Sequence, residues 1–289
     1  MNILNIEHIH KIFGDKVIFD DISCGIDQGE KIGIIGVNGT GKTTLLRVIA
    51  GEEEPDEGQV ITQNGIRISW LPQTPEFPQH MTILDYVAEG KWQKDWSTES
   101  EARRMLNTLG ITDQNSNMDN LSGGEKKRVA LARMMIGEPE AILLDEPFSA
   151  LDGYLKDELQ KDMQEFLKQY QGDMLMVTHS RDEAFRFCNE LMLLKDGKTL
   201  IFGDTRKLFE QPQLLEAARL TGCKNSSRIE RMGEYQVFAL DWGISLRTEQ
   251  KVELDMTHIA IRGHWIRPSE KAGCLLYTSP SPRDISGSR

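Results

Sequence analysis

The sequence lacks the features of a protein that crosses or leaves a membrane. No uninterrupted apolar run among its 289 residues approaches the ~20 residues of a membrane span. Its first residues, MNILNIEHIHKIF, carry acidic and polar side chains where a secretory signal would have its apolar core. We therefore expect a cytoplasmic chain that needs a partner for any role at a membrane.

Cysteine is scarce, and positive charge does not predominate. The four cysteines, Cys24, Cys188, Cys223 and Cys274, are scattered and form no C-x-x-C pair, so we expect neither a zinc site nor a disulfide framework. A net charge of -11 argues against nonspecific binding of nucleic acid. The basic triplet at 126–128 is more typical of a solvated helix face than of a binding patch. We therefore expect no direct contact with nucleic acid.

What the sequence does contain is an alternation of short buried strands and helices. KIGIIG (31–36) predicts a buried strand, and KTTLLRVIA predicts a helix that stops at Gly51. AILLDE (141–146) and DMLMVTH (173–179) predict further buried strands on either side of a long helix. LMLLKDGKTLIFG predicts a hairpin that turns on its Asp-Gly pair. This order is typical of a nucleotide-binding α/β fold.

A helical insertion and a β-rich appendage complete the predicted organisation. At about 82–120 the pattern changes to helix and polar loop, with a capping box predicted at Thr98 and Glu101. YQVFALDWGISLRT and THIAIRGHWIRP predict short strands in an appendage at about 226–268. The last segment, KAGCLLYTSPSPRDISGSR, has no periodicity and resembles translated sequencing-adapter read-through. We expect residues 271–289 to be a disordered artefact outside the fold.

A glycine-rich motif predicts a phosphate-binding loop. GVNGTGKT fits G-x-x-x-x-G-K-T and lies between a predicted strand and a predicted helix, a context that makes a chance glycine loop a weak alternative. Loop N–H groups would cradle phosphates, Lys42 would reach the β and γ oxygens, and the Thr43 hydroxyl would coordinate Mg2+. The expected nucleotide-binding residues here are Gly36, Asn38, Gly39, Thr40, Gly41, Lys42, Thr43 and Thr44.

Two adjacent carboxylates follow AILL at the strand end where open α/β sheets bind ligands. We expect Asp145 to hold Mg2+ and Glu146 to orient and deprotonate the attacking water, because phosphoryl transfer needs little beyond positioning and charge neutralisation. Two surface acids are the alternative, which the preceding apolar residues make weak.

Three further side chains are candidates with weaker signals. His179 ends the next strand at the same sheet edge and is expected to contact the γ-phosphate or the attacking water, although a lone histidine is usually structural. Gln73, in SWLPQ, is expected to sense magnesium or water through its amide. Phe13, in KIFGD, is expected to stack on a purine face, although a single aromatic residue is more often part of a core.

LSGGEKKRVALAR runs from a serine and two glycines directly into a helix. A helix N-terminus presents unpaired N–H groups and the positive end of the peptide dipoles, and glycines let another molecule approach closely. Ser122, Gly123 and Gly124 therefore predict a second anion site, with phosphate as the expected ligand.

Together these motifs resemble the ATP-binding cassette (ABC) ATPases. The motifs that carry the resemblance are, in chain order, the phosphate loop, Gln73, LSGGE, ILLDEP, SALD (149–152) and His179. They cover about residues 1–211. The resemblance implies an α/β P-loop NTPase cassette at 1–212 that hydrolyses ATP, with a helical subdomain at about 74–136.

The resemblance also implies a second cassette. In this family two cassettes pack head to tail, and Ser122, Gly123 and Gly124 would bind the γ-phosphate held by the other subunit. This chain has one phosphate loop and one LSGG loop, so it needs a partner cassette, expected to be an identical chain. The residue that usually follows LSGG is glutamine, and Glu125 stands there in this sequence.

The two parts of the chain resemble different classes of that family. Residues 1 to about 125 are similar to the ABC-F class, soluble translation factors that act on ribosomes. From about Met134 on, GEPEAILLDEPFSALD and the β appendage are similar to the ATPase subunit of an importer of molybdate or a related oxyanion. ABC-F proteins normally carry two cassettes in one chain and TNHLD in place of FSALD, and both differences favour the importer. The split also raises the hypothesis of an assembly chimera joined near the LSGGE helix.

The sequence thus predicts an ATP-hydrolysing importer subunit that uses ATP and Mg2+. Besides the second cassette, the expected partner is a transmembrane permease that contacts the helical insertion near Gln73 and holds the chain on the inner face of the cell membrane. The alternative is a nucleotide-gated clamp on the ribosome. The sequence lacks the long charged arm that would reach along ribosomal RNA, which again favours the importer.

Overall fold

The computed structural model describes residues 2–149, 151, 153–249, 251–262, 266–267 and 276–277. They divide into two compact units, the first ending at Arg206 and the second beginning at Lys207. None of the helices in this described part combines the length and the apolarity that a bilayer crossing requires.

The first unit alternates strands and helices, as the sequence predicts. Its elements are, in chain order, β1 (Asn2–Phe13), β2 (Lys16–Asp27), β3 (Lys31–Gly36), α1 (Lys42–Ile49), β4 (Glu57–Thr62), β5 (Ile68–Leu71), α2 (Ile83–Ala88), α3 (Thr98–Thr108), a 3-10 turn (Met118–Asn120), α4 (Gly123–Ile136), β6 (Ala141–Asp145), α5 (Gly153–Gln169), β7 (Asp173–Val177), α6 (Arg181–Phe187), β8 (Glu190–Lys195) and β9 (Lys198–Asp204). The α/β fold class is confirmed.

A six-stranded sheet forms the centre of the first unit, with strand order β5-β6-β7-β3-β8-β9. The first five strands in that order are parallel, and β9 pairs antiparallel with β8 across the predicted turn at Asp196 and Gly197. All residues of β6 and β7 are buried, because helices cover both faces of the sheet. On one face Leu143 packs in a cluster with α1, and on the other Ile142 packs in a cluster with α4 and α5. The parallel order brings the loops after β3, β6 and β7 to one sheet edge.

Helix α1 lies between the central sheet and a three-stranded antiparallel sheet of order β2-β1-β4. Leu45 and Leu46 are fully buried in a cluster that contains Ile6 and Phe19 of the antiparallel sheet and Ile32 of β3. Burying such a leucine stabilises the fold by about 1.5–3 kcal/mol. The start of α1, and with it the phosphate loop, is therefore held from both sides.

The helical insertion has a buried apolar face, but its cap differs from the prediction. Ala102 of α3 is fully buried, in a cluster shared with α2 and α4. The capping box predicted at Thr98 is wrong, because α3 has Ser97 as its N-cap. The Thr98 hydroxyl instead accepts a hydrogen bond from the backbone N–H of Asp95 at 2.9 Å, which closes a turn ahead of the helix.

The second unit is built around a four-stranded antiparallel sheet. Its strands are β10 (Asn225–Gly233), β11 (Gln236–Ala239), β12 (Ile244–Arg247) and β13 (His258–Ile261), in the order β12-β11-β10-β13. Strand β10 of this sheet was not predicted, because it is mostly exposed and has no alternating apolar pattern. After α7 (Thr205–Glu210), which spans the boundary, the other elements of the second unit are α8 (Leu215–Leu220), β14 (Ile266–Arg267) and β15 (Leu276–Tyr277). Only residues 276 and 277 of the 271–289 segment are described, so its interpretation as an artefact stays a prediction.

The described cysteines are buried, free thiols. Cys24, Cys188 and Cys223 form no disulfide with one another. Burial raises the pKa of each thiol, to about 12 for Cys24. None of the three is therefore a thiolate at neutral pH. Cys274 lies outside the described residues.

Candidate active site

A cleft of about 580 Å³ opens at the sheet edge where β3, β6 and β7 end. It collects residues from the start of β2 and from the segments that follow β3, β5, β6 and β7. Its lining consists of Lys16, Ile18, Asn38, Gly39, Gly41, Lys42, Thr43, Thr44, Gln73, Glu146 and His179.

The loop between β3 and α1 forms the floor of this cleft. Gly41 has a φ of +86°, and a Cβ at that position would overlap Ile18 and Phe19, so only glycine fits. Gly41 is also the N-cap of α1 and makes no side-chain capping hydrogen bond. The first N–H groups of α1 are therefore left for an anion, as a phosphate site requires.

Lys42 lies inside this loop. Its ammonium donates hydrogen bonds to the carbonyl oxygens of Gly36 at 2.9 Å and Val37 at 3.2 Å. Burial lowers the pKa of Lys42, and the nearby carboxylates of Glu146 and Asp145 oppose that shift. The cation is thus held where the loop would wrap a phosphate.

Asp145, the last residue of β6, is a buried carboxylate without a partner. It is 1% exposed, and within the described residues neither of its oxygens has a hydrogen-bond donor at favourable geometry. Burial raises the pKa of Asp145, and the nearby Thr43 hydroxyl counteracts part of that rise. A buried carboxylate beside a hydroxyl is an oxygen donor set of the kind that Mg2+ prefers, so these residues fit that ion.

Glu146 contacts two of the other candidate residues, Gln73 and His179. It follows β6 with a φ of +44°, and its N–H donates to the Val177 carbonyl of β7 at 2.9 Å. Its carboxylate accepts a hydrogen bond from the Gln73 amide at 3.1 Å, and its other oxygen lies 3.3 Å from His179 Nδ1. A left-handed conformation costs a glutamate on the order of 1–3 kcal/mol, and such strain is typical of functional sites.

The LSGG loop lies outside this cleft, at the start of α4. Ser122 is the N-cap, and its N–H and hydroxyl donate to the Glu125 carboxylate at 2.9 and 2.6 Å. These hydrogen bonds hold the pKa of Glu125 below its usual range. Ser122 and Gly123 are exposed, so the loop can meet a second molecule.

Comparison with known proteins identifies the family. Residues 19–149 match the family model described as ABC transporter. The chain is 32% identical to the Fe(3+) ions import ATP-binding protein FbpC of Haemophilus influenzae, over 76% of this chain and 68% of the relative. It is 33% identical to the spermidine/putrescine import ATP-binding protein PotA of Haemophilus influenzae, over 88% of this chain and 73% of the relative. The chain belongs to the ATP-binding proteins of ABC transporters.

Two further comparisons agree with this ABC ATPase assignment. The ADP conformation of MJ1267, an ATP-binding cassette of an ABC transporter, superposes with a TM-score of 0.63 at 25% identity, covering 76% of this chain and 99% of that cassette. The uncharacterized ABC transporter ATP-binding protein YfmR of Bacillus subtilis is 30% identical over 88% of this chain. The chain spans 46% of the length of YfmR and about two thirds to three quarters of FbpC and PotA.

Not all of the predicted residues of the cassette meet in the cleft. Phe13 does not line it; the ring is half-exposed and lies 5.2 Å from Lys11 Nζ. Phe13 is, however, the β-sheet partner of Lys16, which does line the cleft. Ala150 and Asp152 of the SALD motif lie outside the described residues.

Sequence reasoning missed Lys127 as a residue of this region. The interpretation of the basic triplet as a solvated face is wrong for Lys127, which is 8% exposed. A signal was present, because Ala130, Leu131 and Met134 lie three, four and seven residues further along α4 and are all buried. Helical periodicity therefore places Lys127 on the buried face of α4.

Proposed function

We propose that this ABC ATPase is the ATP-hydrolysing subunit of an importer, acting with a second cassette and a transmembrane permease on the inner face of the cell membrane. ATP hydrolysis is supported by one observation above all: Glu146 contacts both Gln73 and His179 beside the phosphate loop. The importer part is supported by FbpC and PotA, both named as import ATP-binding proteins.

In the proposed reaction, Glu146 takes a proton from water as the water oxygen bonds to the γ-phosphorus of ATP. The bond from that phosphorus to the bridging oxygen breaks, so ADP and phosphate leave. The Gln73 amide orients the Glu146 carboxylate, and His179 contacts the γ-phosphate or the water. Lys42 neutralises charge on the β and γ oxygens, and Phe13 stacks on the purine.

Mg2+ fits beside the phosphates in this proposal. Asp145 and Thr43 would hold it, with Gln73 as a further oxygen donor, and it would neutralise charge on the phosphate oxygens. The support is the buried, unpartnered carboxylate of Asp145 next to the Thr43 hydroxyl.

The second cassette is proposed because the LSGG loop does not line the cleft of its own chain. Ser122, Gly123 and Gly124 would contact the γ-phosphate bound by the other subunit, with an identical chain as the simplest partner. The support is that Ser122 and Gly123 are exposed and that a Cβ at Gly123 would meet no described atom within 4 Å.

We propose that the transporter is an importer, and we propose no specific transported substrate. The relatives described above are named for iron and for spermidine and putrescine, and these names do not support molybdate. None of them is named for the ribosome, so the ribosomal clamp stays an unsupported alternative. The chimera stays a hypothesis, because the alignment with PotA, which covers 88% of this chain, would span the junction of two cassettes of one family equally well. Long-read sequencing of the source locus tests that point.

The test of this function is where an ATP-trapped protein sediments. Tagged Glu146→Gln protein is expressed in a bacterial host, given ATP and Mg2+, and separated on a gradient that resolves membranes from ribosomes. The proposal expects it in the membrane fraction with a co-purifying permease, and Glu138→Gln serves as the charge-matched control. Sedimentation with ribosomes would instead establish the clamp.

A further inference from the structure

The basic triplet of α4 consists of three residues in different surroundings. Lys126 is half-buried, and among the described contacts its side chain has no hydrogen-bond or ion-pair partner. Arg128 donates to the Glu158 carboxylate of α5 at 2.9 Å. Lys127 is buried and points toward the segment that follows β6.

Within the part of the chain that the structure describes, the hydrogen-bond acceptors of the Lys127 ammonium all belong to that segment. It donates to the Ser149 carbonyl at 2.7 Å, to the Ser149 hydroxyl at 3.0 Å and to the Glu146 carbonyl at 3.3 Å. Three acceptors satisfy the three donors of an ammonium, as a buried cation requires. The backbone of Glu146 is therefore held by a charged group from a different element.

The same helix begins at the LSGG loop. Lys127 follows the N-cap Ser122 by five residues, which is roughly 7.5 Å along a helix axis. Helix α4 is packed by Val129, Leu131 and Met134, so its first turns move together. A displacement of the loop by an incoming nucleotide would therefore displace the ammonium that holds Glu146.

We propose that Lys127 is a positioning residue that couples the two ATP sites of the paired cassettes. This inference rests on the proposed function, in which the LSGG loop contacts the nucleotide of the other subunit. Binding of ATP against Ser122 in one site moves α4, and Lys127 carries that movement to the backbone of Glu146 in the other site. The water-activating carboxylate is then aligned only when both sites are filled.

Three variants of the full chain test this role. Lys127→Met removes the ammonium and keeps an unbranched side chain, Lys127→Arg keeps the charge and its donors, and Lys126→Met removes a charge from the next position of α4. ATP hydrolysis is measured against ATP concentration with Mg2+, and binding of a fluorescent ATP analogue is measured separately.

We expect Lys127→Met to lower kcat by about 10- to 100-fold, as misplacement of a catalytic group does, with KM and analogue affinity changed by less than about twofold. Its Hill coefficient should fall from above 1 in the wild type to 1, because the sites no longer communicate. Lys127→Arg should regain most of kcat and of the cooperativity. Lys126→Met should match the wild type.

Each contrary result has a definite meaning. Lys127→Met with wild-type kcat and cooperativity would overturn the inference, as would equal losses in Lys126→Met. Loss of analogue binding in both Lys127 variants would overturn it too, since Lys127 would then be structural. A wild-type Hill coefficient of 1 would exclude coupling. A wild type without ATP hydrolysis would overturn the proposed function itself.

Discussion

Two helices of the first unit begin at loops that contain glycines, and the two helix N-termini are capped differently. Helix α1 starts at Gly41 without a side-chain cap, and the loop around it is closed by the ammonium of Lys42. Helix α4 starts at Ser122 with a complete capping box supplied by Glu125. One helix N-terminus thus lacks a partner inside a cleft, whereas the other is capped and exposed.

This difference indicates which loop forms a site within one chain. The loop before α1 lies beside Asp145, Glu146, Gln73 and His179, so the proposed phosphate, metal and base positions all come from this chain. In the LSGG loop, Gly123 is exposed, and a Cβ there would meet no described atom within 4 Å. We propose that the first loop holds a nucleotide within its own chain and that the LSGG loop completes the nucleotide site of another molecule.

The largest expected effect on activity comes from the Glu146 carboxylate beside the phosphate loop. Glu146→Gln should lower ATP turnover by about 10²- to 10⁴-fold, the usual contribution of a general base, while ATP still binds. Phosphate release and binding of a fluorescent ATP analogue measure the two quantities. Glu138→Gln, on an exposed side chain, is the control and should turn over normally. Normal turnover by Glu146→Gln would mean that another group activates the water.

The next prediction compares substitutions at one glycine of each loop, by their effects on ATP binding and turnover. Gly123→Asp should fold and bind ATP normally, because a Cβ there meets no described atom within 4 Å, yet lose about 100-fold in turnover by repelling the γ-phosphate of the partner site. Gly41→Ala is the matched contrast and should lose ATP binding or stability, because its Cβ overlaps Ile18 and Phe19. Analogue binding, thermal unfolding and phosphate release distinguish these effects. Equal loss of ATP binding in both variants would contradict the comparison.

Removal of the Lys42 ammonium from the phosphate loop should weaken nucleotide binding. Lys42→Ala should lower ATP affinity by about 10- to 100-fold, since a hydrogen bond to a charged group contributes about 1.5–3 kcal/mol. Titration calorimetry with ATP and Mg2+ measures the change. Lys94→Ala, at a separate cleft, is the control, and an unchanged affinity in Lys42→Ala would show that its ammonium stays on the loop carbonyls.

The smallest expected effect is at the cap of the LSGG loop. Glu125→Gln keeps the shape of the capping residue and removes a negative charge from the surface proposed to meet the γ-phosphate. Exposed charges contribute about 0.2–1 kcal/mol, so ATP-driven dimerisation should tighten by about two- to fivefold. Size-exclusion chromatography of the Glu146→Gln background against ATP concentration measures it, with Glu99→Gln as control. Weaker dimerisation would show that the carboxylate organises the loop more than it repels phosphate.

The central strands and the phosphate loop could be predicted because their signals are local. KIGIIG coincides with β3, and the loop from Gly36 to Thr43 lies between β3 and α1 as its motif requires. Edge strands were less predictable: β4 is almost entirely exposed, so its sequence carries no burial pattern. The cap of α3 was misplaced because Ser97 and Thr98 are both good N-cap residues, and only the Asp95 turn selects between them.

The candidate site was only partly predictable for the same reason. Gln73 was singled out in SWLPQ, and Glu146 and His179 at the ends of predicted strands. Their contacts with one another, however, depend on the order β5-β6-β7-β3. Their proposed roles remain predictions. Lys127 was missed because three adjacent basic residues look alike in sequence, whereas the helix turns one of them inward.

The sequence by itself determined the elements whose interactions are short in range: the glycines that permit the phosphate loop, the buried strands, and the serine that caps α4. Only the tertiary structure decided which strand ends become neighbours, which lysine of the triplet is buried and that Glu146 takes a left-handed backbone. The physical reason is distance along the chain. A loop or a cap closes within a few residues, whereas a site assembled from residues 42, 73, 127, 146 and 179 exists only after the sheet and its covering helices have packed.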